Sequence, residues 1–552
     1  MSIIIKNREE GFTQLLQGMD CFVKTLKLTF GPRGRHVMIH KAGDQPKFTR
    51  FGAEVADGFD LEHTFQNLGV SLLQTVAAST QHNAGDGVVM STIIAVRLVK
   101  ECARLVLQGN SIIDIREGLI AACRETNEAL IESSQSVKTS RHMKNLMVTA
   151  TRGDDWVVDI INKVIKKLGS NGVLTFSYGD SVENELTFQK GLSVDETLLS
   201  SYFEEPNKEF VELDDPLVLI CADKINDIEE ILNLTEKVVE VDKPLFVIAE
   251  EIGKDALSLL LLNKSNRTLN SVAIKAPAYG AARLDILEDI AAFTGTKVFG
   301  RSLGIDTAKI RVDELGEAGK VRVEKSRTII MEGKGSKSRI NKRIKELKER
   351  AIKEKGEFEK QTLGDRAARM MTGVGHIKVG GYTEHDKTLR RSQITRAYTC
   401  LKEGSDGGFI QGGGVALLKA ATALNNKKPG KGRLPVYRAF ARALSEPLCV
   451  LAANSGVNGE YIKEKIIDGG FKYGFNASLG KMEKLSSWSI ADPLKTGVIA
   501  VESATSLAVN LLSSEIFIAE EPYEVAKDEH PMLGAGGYKG MRGITGIDIQ
   551  HE

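Results

Sequence analysis

Three glycine-rich segments carry residue types able to hold a phosphate: TFGPRGRHV at 29–37, AGDG at 84–87 and QGGGVALL at 411–418. Glycine lets the backbone approach an anion closely. AGDG leads into STIIAVRLV, a helical run whose first N–H groups lack intrahelical partners and so favour negative charge. Asp86 stands at that junction, where a carboxylate could hold magnesium on bound phosphates. None of the three is a Walker A or GxGxxG element, because neither the Gly-Lys-Ser/Thr ending nor the dinucleotide spacing is present. Taken alone, such a motif reads as a helix-capping turn, and its specificity comes from the company it keeps. Other reactive groups are scattered. The six cysteines at 21, 102, 123, 221, 400 and 449 form no CxxC pair, which predicts reduced thiols rather than a zinc site or redox dithiol. His36 and His40 are four apart but lie in a strand-like run, VMIH, so they do not share a helix face. No His or Cys constellation suits a nucleophilic enzyme.

The elements that must position these segments change in texture along the chain. The first 130 residues and the stretch from about 410 to 525 read as helical, with apolar spacings of three and four such as Val70, Leu73, Val76, Ala77 and Ile94, Leu98, Cys102, Leu105. Between them lie short Val/Ile-rich runs at Leu217–Ala222, Pro244–Ala249 and Ser271–Ala276, spaced widely enough for crossover helices. VLTFSY and ELTFQKG flank the turn-rich GDSVEN and predict a hairpin over 173–190. Helical texture on both sides of an α/β segment predicts an inserted domain, with the two chain ends sharing one discontinuous helical domain. Lys337–Lys355 holds nine basic and three acidic residues around Ile340, Ile344, Leu347 and Ala351, an amphipathic helix with a solvated face. GAGGYKGMRGITG near the C-terminus predicts a flexible tail.

A chain of 552 residues should form about three or four domains. With 74 basic and 73 acidic residues, its net charge of +1 gives no global attraction to nucleic acid or an anionic membrane. The start MSIIIKNREE is too short for a signal peptide's apolar core, and the Leu259–Leu262 cluster is too short for a membrane span. These features predict a cytoplasmic protein without a nucleic-acid or membrane partner.

The glycine-rich segments keep informative company. TFGPRGRHV, DLEHTFQNLGVSLL, NAGDG, SNGVLTF, LLSSYF, DKPLFVIAEE, IKAPAYG, IQGGGVAL, YGFNA and ADPLKTG occur in this order, and together they resemble the group I chaperonins, the GroEL-like 60-kDa heat-shock proteins. The departures noted below suggest a diverged paralogue. The resemblance implies a multidomain α and α/β fold. A helical equatorial domain would comprise 1–132 and 407–527, a small intermediate domain 133–189 and 375–406, and an inserted α/β apical domain 190–374, with 528–552 as tail.

By the same resemblance, ATP would bind through Thr29, Phe30, Gly31, Pro32, Asp86, Gly87 and the backbone of Val88, Val89 and Met90, with Mg2+ on Asp86. Gly413, Asn476, Ala477, Ser478 and Asp492 would contact base and ribose, and Arg50 stands at a family lysine position. Two family aspartates that serve hydrolysis are replaced by Phe51, in FTRFG, and Arg396, in QITRAYTCLKEG. The three threonines after the family's G-D-G are Val88, Val89 and Met90. Loss of a positioned acid–base group costs about 10²- to 10⁴-fold in rate, so hydrolysis is expected to be strongly impaired.

The apical positions matching the family's polypeptide-binding surface hold Leu198, Leu199, Tyr202, Phe203, Leu232, Leu257, Leu261 and Leu262, while Thr235 replaces a family leucine. The implied partners are unfolded polypeptides, a GroES-like co-chaperonin and further copies of the chain in a ring. Ring assembly is weakened on paper by Glu196, which faces a family glutamate position at Glu384, and by Cys449 and Asn458, which replace a charged inter-ring pair. The alternatives are a hydrolysis-deficient holdase, a partner of a standard chaperonin, or a non-folding role.

Overall fold

The computed structural model describes residues 3–520 except 41–45, 152–153, 170–171, 180, 205–209, 306, 326, 355, 372, 428, 431 and 486–489. The C-terminal tail expected at 528–552 lies outside the described residues. Strand Ile3–Asn7 pairs antiparallel with Ile516–Glu520, from Ile3 opposite Glu520 to Asn7 opposite Ile516. This ribbon ties the two ends of the described chain together before the first helix starts. Asn7 caps that helix, Arg8–Leu28, its side chain accepting from the Glu10 N–H. The helix packs against Thr64–Ala84 at very close range. A Cβ on Gly18 would sit 1.9 Å from the Gln66 carbonyl oxygen, so only glycine allows this crossing.

One hydrophobic core joins helices from both ends of the sequence. Leu15, Leu73, Ile94, Leu98 and Leu119 pack with Phe440, Leu444, Val501 and Ala504. The central helix Val88–Leu107 buries the predicted stripe Ile94, Leu98, Cys102 and Leu105. A second core joins Leu146, Val157, Ile161 and Phe176 to Ile377, Ile394, Ala397 and Leu401, again from two distant pieces of chain.

The middle of the chain is α/β. Leu217–Ile220, Leu245–Ala249 and Ser271–Lys275 run parallel in a four-stranded sheet that Gly316–Glu317 closes antiparallel at one edge. Both faces of the sheet are covered, so side chains alternate between two cores. Val218, Ile220, Phe246 and Ile248 enter one core. Leu217, Leu219, Leu245 and Val247 enter the other, beneath helices Glu229–Val241 and Lys254–Ser265.

The hairpin expected over 173–190 does not form. Strands Val173–Tyr178 and Glu185–Val194 belong to one six-stranded sheet, but Gly373–Val379 lies between them, parallel to the first and antiparallel to the second. Composition marks a turn without saying whether its flanking strands are adjacent. The connection here is long enough to pass over one intervening strand, a gap of roughly 10 Å at the usual strand spacing.

The basic segment forms the helix Lys337–Lys353, with Leu347 buried. Two of its arginines are committed within the molecule: Arg343 Nε lies 2.7 Å from Asp289 Oδ1 and Arg350 Nη2 lies 2.6 Å from Asp285 Oδ2. Arg366 joins the same carboxylates, with Nη2 2.7 Å from Asp289 Oδ2. The cluster staples this helix and its successor, Glu357–Met371, to helix Gly280–Thr294.

Candidate functional site

The three glycine-rich segments meet at a cavity of about 390 Å³ between the two halves of the helical unit. Thr29 ends the first helix, its hydroxyl donating to the Leu26 carbonyl at 2.8 Å. The loop that follows turns at Gly31 with φ +80° and is held from the far half by Asn454, whose Nδ2 donates to the Lys27 and Phe30 carbonyls at 2.7 and 2.9 Å. AGDG links two helices end to end. Gly85 closes Thr64–Ala84 with φ +70° and Gly87 opens Val88–Leu107 with φ +95°, both left-handed conformations that side chains resist. The N–H groups of Val88, Val89 and Met90 form the first turn of this helix, ahead of its internal ladder. Gly414, at φ +79°, opens helix Val415–Asn426 in the same way.

Every nucleotide-site residue expected from the sequence lines this cavity except Arg50. Arg50 is directed elsewhere, with Nη2 3.7 Å from Asp154 Oδ2. Asn476 shapes its loop: its Oδ1 accepts from the N–H groups of Ser478 and Leu479 at 3.1 and 3.2 Å. Asp492 lies on a short ribbon opposite Ile410. Burial and the nearby negative charge of Asp86, opposed by the Gly413 N–H, push its carboxyl up to about 7.

Phe51 and Arg396 line the same cavity and touch each other, the guanidinium carbon lying 5.3 Å from the ring centroid. Phe51 is buried, held at the start of helix Gly52–Asp57 by its N–H donating to Thr49 Oγ1 at 3.1 Å. Arg396 projects from helix Glu384–Gly407, and its Nη2 donates to Asp86 Oδ2 at 2.8 Å. The other oxygen, Asp86 Oδ1, accepts from the Gly87 N–H at 2.8 Å. Magnesium binds through one or two carboxylates plus substrate phosphates, so Asp86 is the position on which the expected ion depends. Both of its oxygens already have donors. Among the described residues no group of three or more His, Cys, Asp or Glu could hold a metal ion. A divalent cation on Asp86 would share that carboxylate with the Arg396 guanidinium, whose positive charge opposes it, so the residues as they stand do not favour one.

The second candidate surface lies on the α/β unit. Helices Glu229–Val241 and Lys254–Ser265 sit side by side over the sheet, near the segment Leu198–Phe203. Tyr202 is 81% exposed and Leu262 61%. Leu198, Leu199, Leu232, Leu257 and Leu261 are half-buried, each presenting an apolar edge. Phe203 does not belong to this surface. It is fully buried in the core beneath the helices, with Lys264 Nζ over its ring at 5.6 Å, because the short 3₁₀ turn Ser201–Phe203 sends adjacent side chains in opposite directions. Thr235 is also buried, and its hydroxyl donates to the Leu232 carbonyl at 2.7 Å, so that substitution leaves the exposed edge apolar.

The sequence profile of the TCP-1/cpn60 chaperonin family matches residues 22–522. The chain belongs to that family. Its fold is similar to that of the chaperonin gp146 from bacteriophage EL 2 (Pseudomonas aeruginosa), crystallised in the presence of ATP-BeFx. The two share 16% sequence identity over 94% of this chain and 99% of that one, with a TM-score of 0.74 for one crystal form and 0.66 for another. The fold is GroEL-like.

Several departures from the expected chaperonin pattern have local roles in this chain. Asn458 caps helix Gly459–Asp468, its Oδ1 accepting from the Tyr461 N–H at 3.2 Å. The Cys449 thiol lies 3.6 Å from Glu460 Oε1, and burial with that carboxylate pushes it up to about 12. Glu384, which keeps the expected residue type, pairs with Lys387 at 2.7 Å within its own helix. The chaperonin cavity also has lining residues that sequence reasoning missed, among them Leu451, Leu479, Ile490 and Thr496. Leu451 sits on a helix whose periodicity reads as ordinary core. Thr496 lies four residues after Asp492 in ADPLKTG, which was the available signal.

Proposed function

We propose that this chaperonin binds ATP in the equatorial cavity and non-native polypeptides on the apical groove, with ATP hydrolysis strongly impaired. The observation that carries the reading is the contact between Phe51 and Arg396 in a cavity whose backbone is otherwise suited to an anion. A positioned carboxylate accepts a hydrogen bond from the attacking water and can take its proton, whereas a phenyl ring and a guanidinium have no basic acceptor for it. Helix termini and glycine turns still supply N–H donors to phosphates.

The apical groove supports capture of unfolded chains, since exposed apolar edges contribute roughly 25 cal/mol per Å² buried without requiring a particular partner sequence. The domain limits expected from the sequence, with the apical unit inserted at 190–374, fit the way the cores join distant chain pieces. A GroES-like partner and a ring of copies belong to the same reading. Capture without cycling makes the chain a holdase.

Steady-state phosphate release from ATP tests the claim, with assembly state followed by light scattering. Turnover at the slow pace of an ordinary chaperonin would overturn it. Absence of turnover, with client binding retained and unaltered by ATP, is the expected result.

A further inference from the structure

We infer that Arg396 is a built-in counter-cation of the cavity, and that nucleotide binding by this chain does not depend on a divalent metal. The inference rests on the nucleotide reading above and concerns how the phosphates are neutralised.

A metal-dependent phosphate site needs a carboxylate oxygen available to the ion. Asp86 is the carboxylate at the junction of the glycine turn and the helix start, and its two oxygens accept from Gly87 N–H and Arg396 Nη2, each at 2.8 Å. The guanidinium is clamped on two sides, by the carboxylate and by the buried Phe51 ring at 5.3 Å. Its side chain is only 22% exposed. An arginine held in this way is pre-organised, and its planar fork of five N–H donors matches phosphate oxygens. It lines the same cavity as Val88, Val89 and Met90, the first turn of the helix after the glycine turn. An ion seated on Asp86 would share its carboxylate with a charge-assisted hydrogen bond and sit beside a fixed positive charge.

The replacements at positions 51 and 396 thus act together. One supplies a cation and the other supplies the ring that holds it. On this view the hydrolytic pair has been exchanged for a binding device.

The test is calorimetric titration of the full chain with ADP, and separately with ATP, in excess EDTA and in excess magnesium. Affinities within about threefold of each other are expected. A loss of about tenfold or more in EDTA, equivalent to the worth of one charge-assisted contact, would overturn the inference and leave the nucleotide reading intact. No binding in either condition would reject both. Arg396→Gln should lose about tenfold in EDTA, whereas Arg396→Lys, which keeps the charge, should lose less. Equal affinities of Arg396→Gln and unmodified chain in EDTA would overturn the inference. Should Arg396→Gln fail to fold, electron paramagnetic resonance of Mn2+ decides on the unmodified chain. With chain in excess over ADP, no protein-bound Mn2+ signal is expected, and one Mn2+ bound per nucleotide would overturn the inference.

Discussion

On the proposed function, the equatorial cavity and the apical groove have diverged in opposite ways. The cavity carries left-handed glycines at 31, 85, 87 and 414, while Phe51 and Arg396 stand where the family resemblance implies carboxylates. The groove presents apolar side chains, with Tyr202 and Leu262 exposed and Leu198, Leu199, Leu232, Leu257 and Leu261 half-buried. An anion site built from N–H groups survives side-chain replacement, because the donors belong to the backbone. A promiscuous apolar surface survives only as side chains, but it tolerates exchange of one aliphatic for another. Binding and turnover can therefore separate within one fold.

The largest effect that would sharpen this contrast is recovery of hydrolysis. Phe51→Asp combined with Arg396→Asp should raise steady-state phosphate release by about 10²-fold over the unmodified chain, if assembly is unchanged. No gain would mean that the exchanged pair is not what silences the cavity.

Adjacent residues in the groove provide the next test. Phe203→Ala removes a fully buried ring and should cost about 3–5 kcal/mol of local stability, read as faster hydrogen exchange in strands Leu217–Ile220 and Leu245–Ala249. Tyr202→Asp with Leu262→Asp should leave that exchange unchanged and weaken capture of a denatured model client by about tenfold, measured by aggregation suppression. Equal loss of client binding in both variants would erase the distinction between core and surface.

The smallest effect is a pH dependence outside both sites. Hydrogen bonding from Arg350 and Arg366, against the opposing effect of burial, holds the Asp285 carboxyl well below its ordinary 3.8. A carboxyl depressed in the folded state contributes stability that is complete above 3.8 and lost as pH falls through the folded value. Asp285→Asn should flatten the acid limb of the apical thermal midpoint below about pH 4 and leave the midpoint's dependence above pH 5 unchanged.

Much of the fold was legible because periodicity is a local property. The stripe Ile94, Leu98, Cys102, Leu105 and the strands at 217, 245 and 271 lie where their spacing put them. The false hairpin at 173–190 shows the limit, since adjacency in a sheet is settled by a strand nearly two hundred residues away. Site positions were legible wherever glycine or a short polar motif stood out. Leu451 and Ile490 were not, because an aliphatic side chain lining a cavity has the same local signature as one in a core.

By itself the sequence determined the helical and α/β textures, the glycine turns of the cavity and the family resemblance, which implied the replacement of two carboxylates. Only the tertiary structure decided that Phe51 and Arg396, 345 positions apart, touch one another, and that Arg396 also closes on Asp86. It also placed Phe203 in the core while its neighbour Tyr202 faces outward. The physical reason is common to these cases. Local pattern records which face of an element is apolar, but pairing between distant side chains depends on how packed elements bring those faces together.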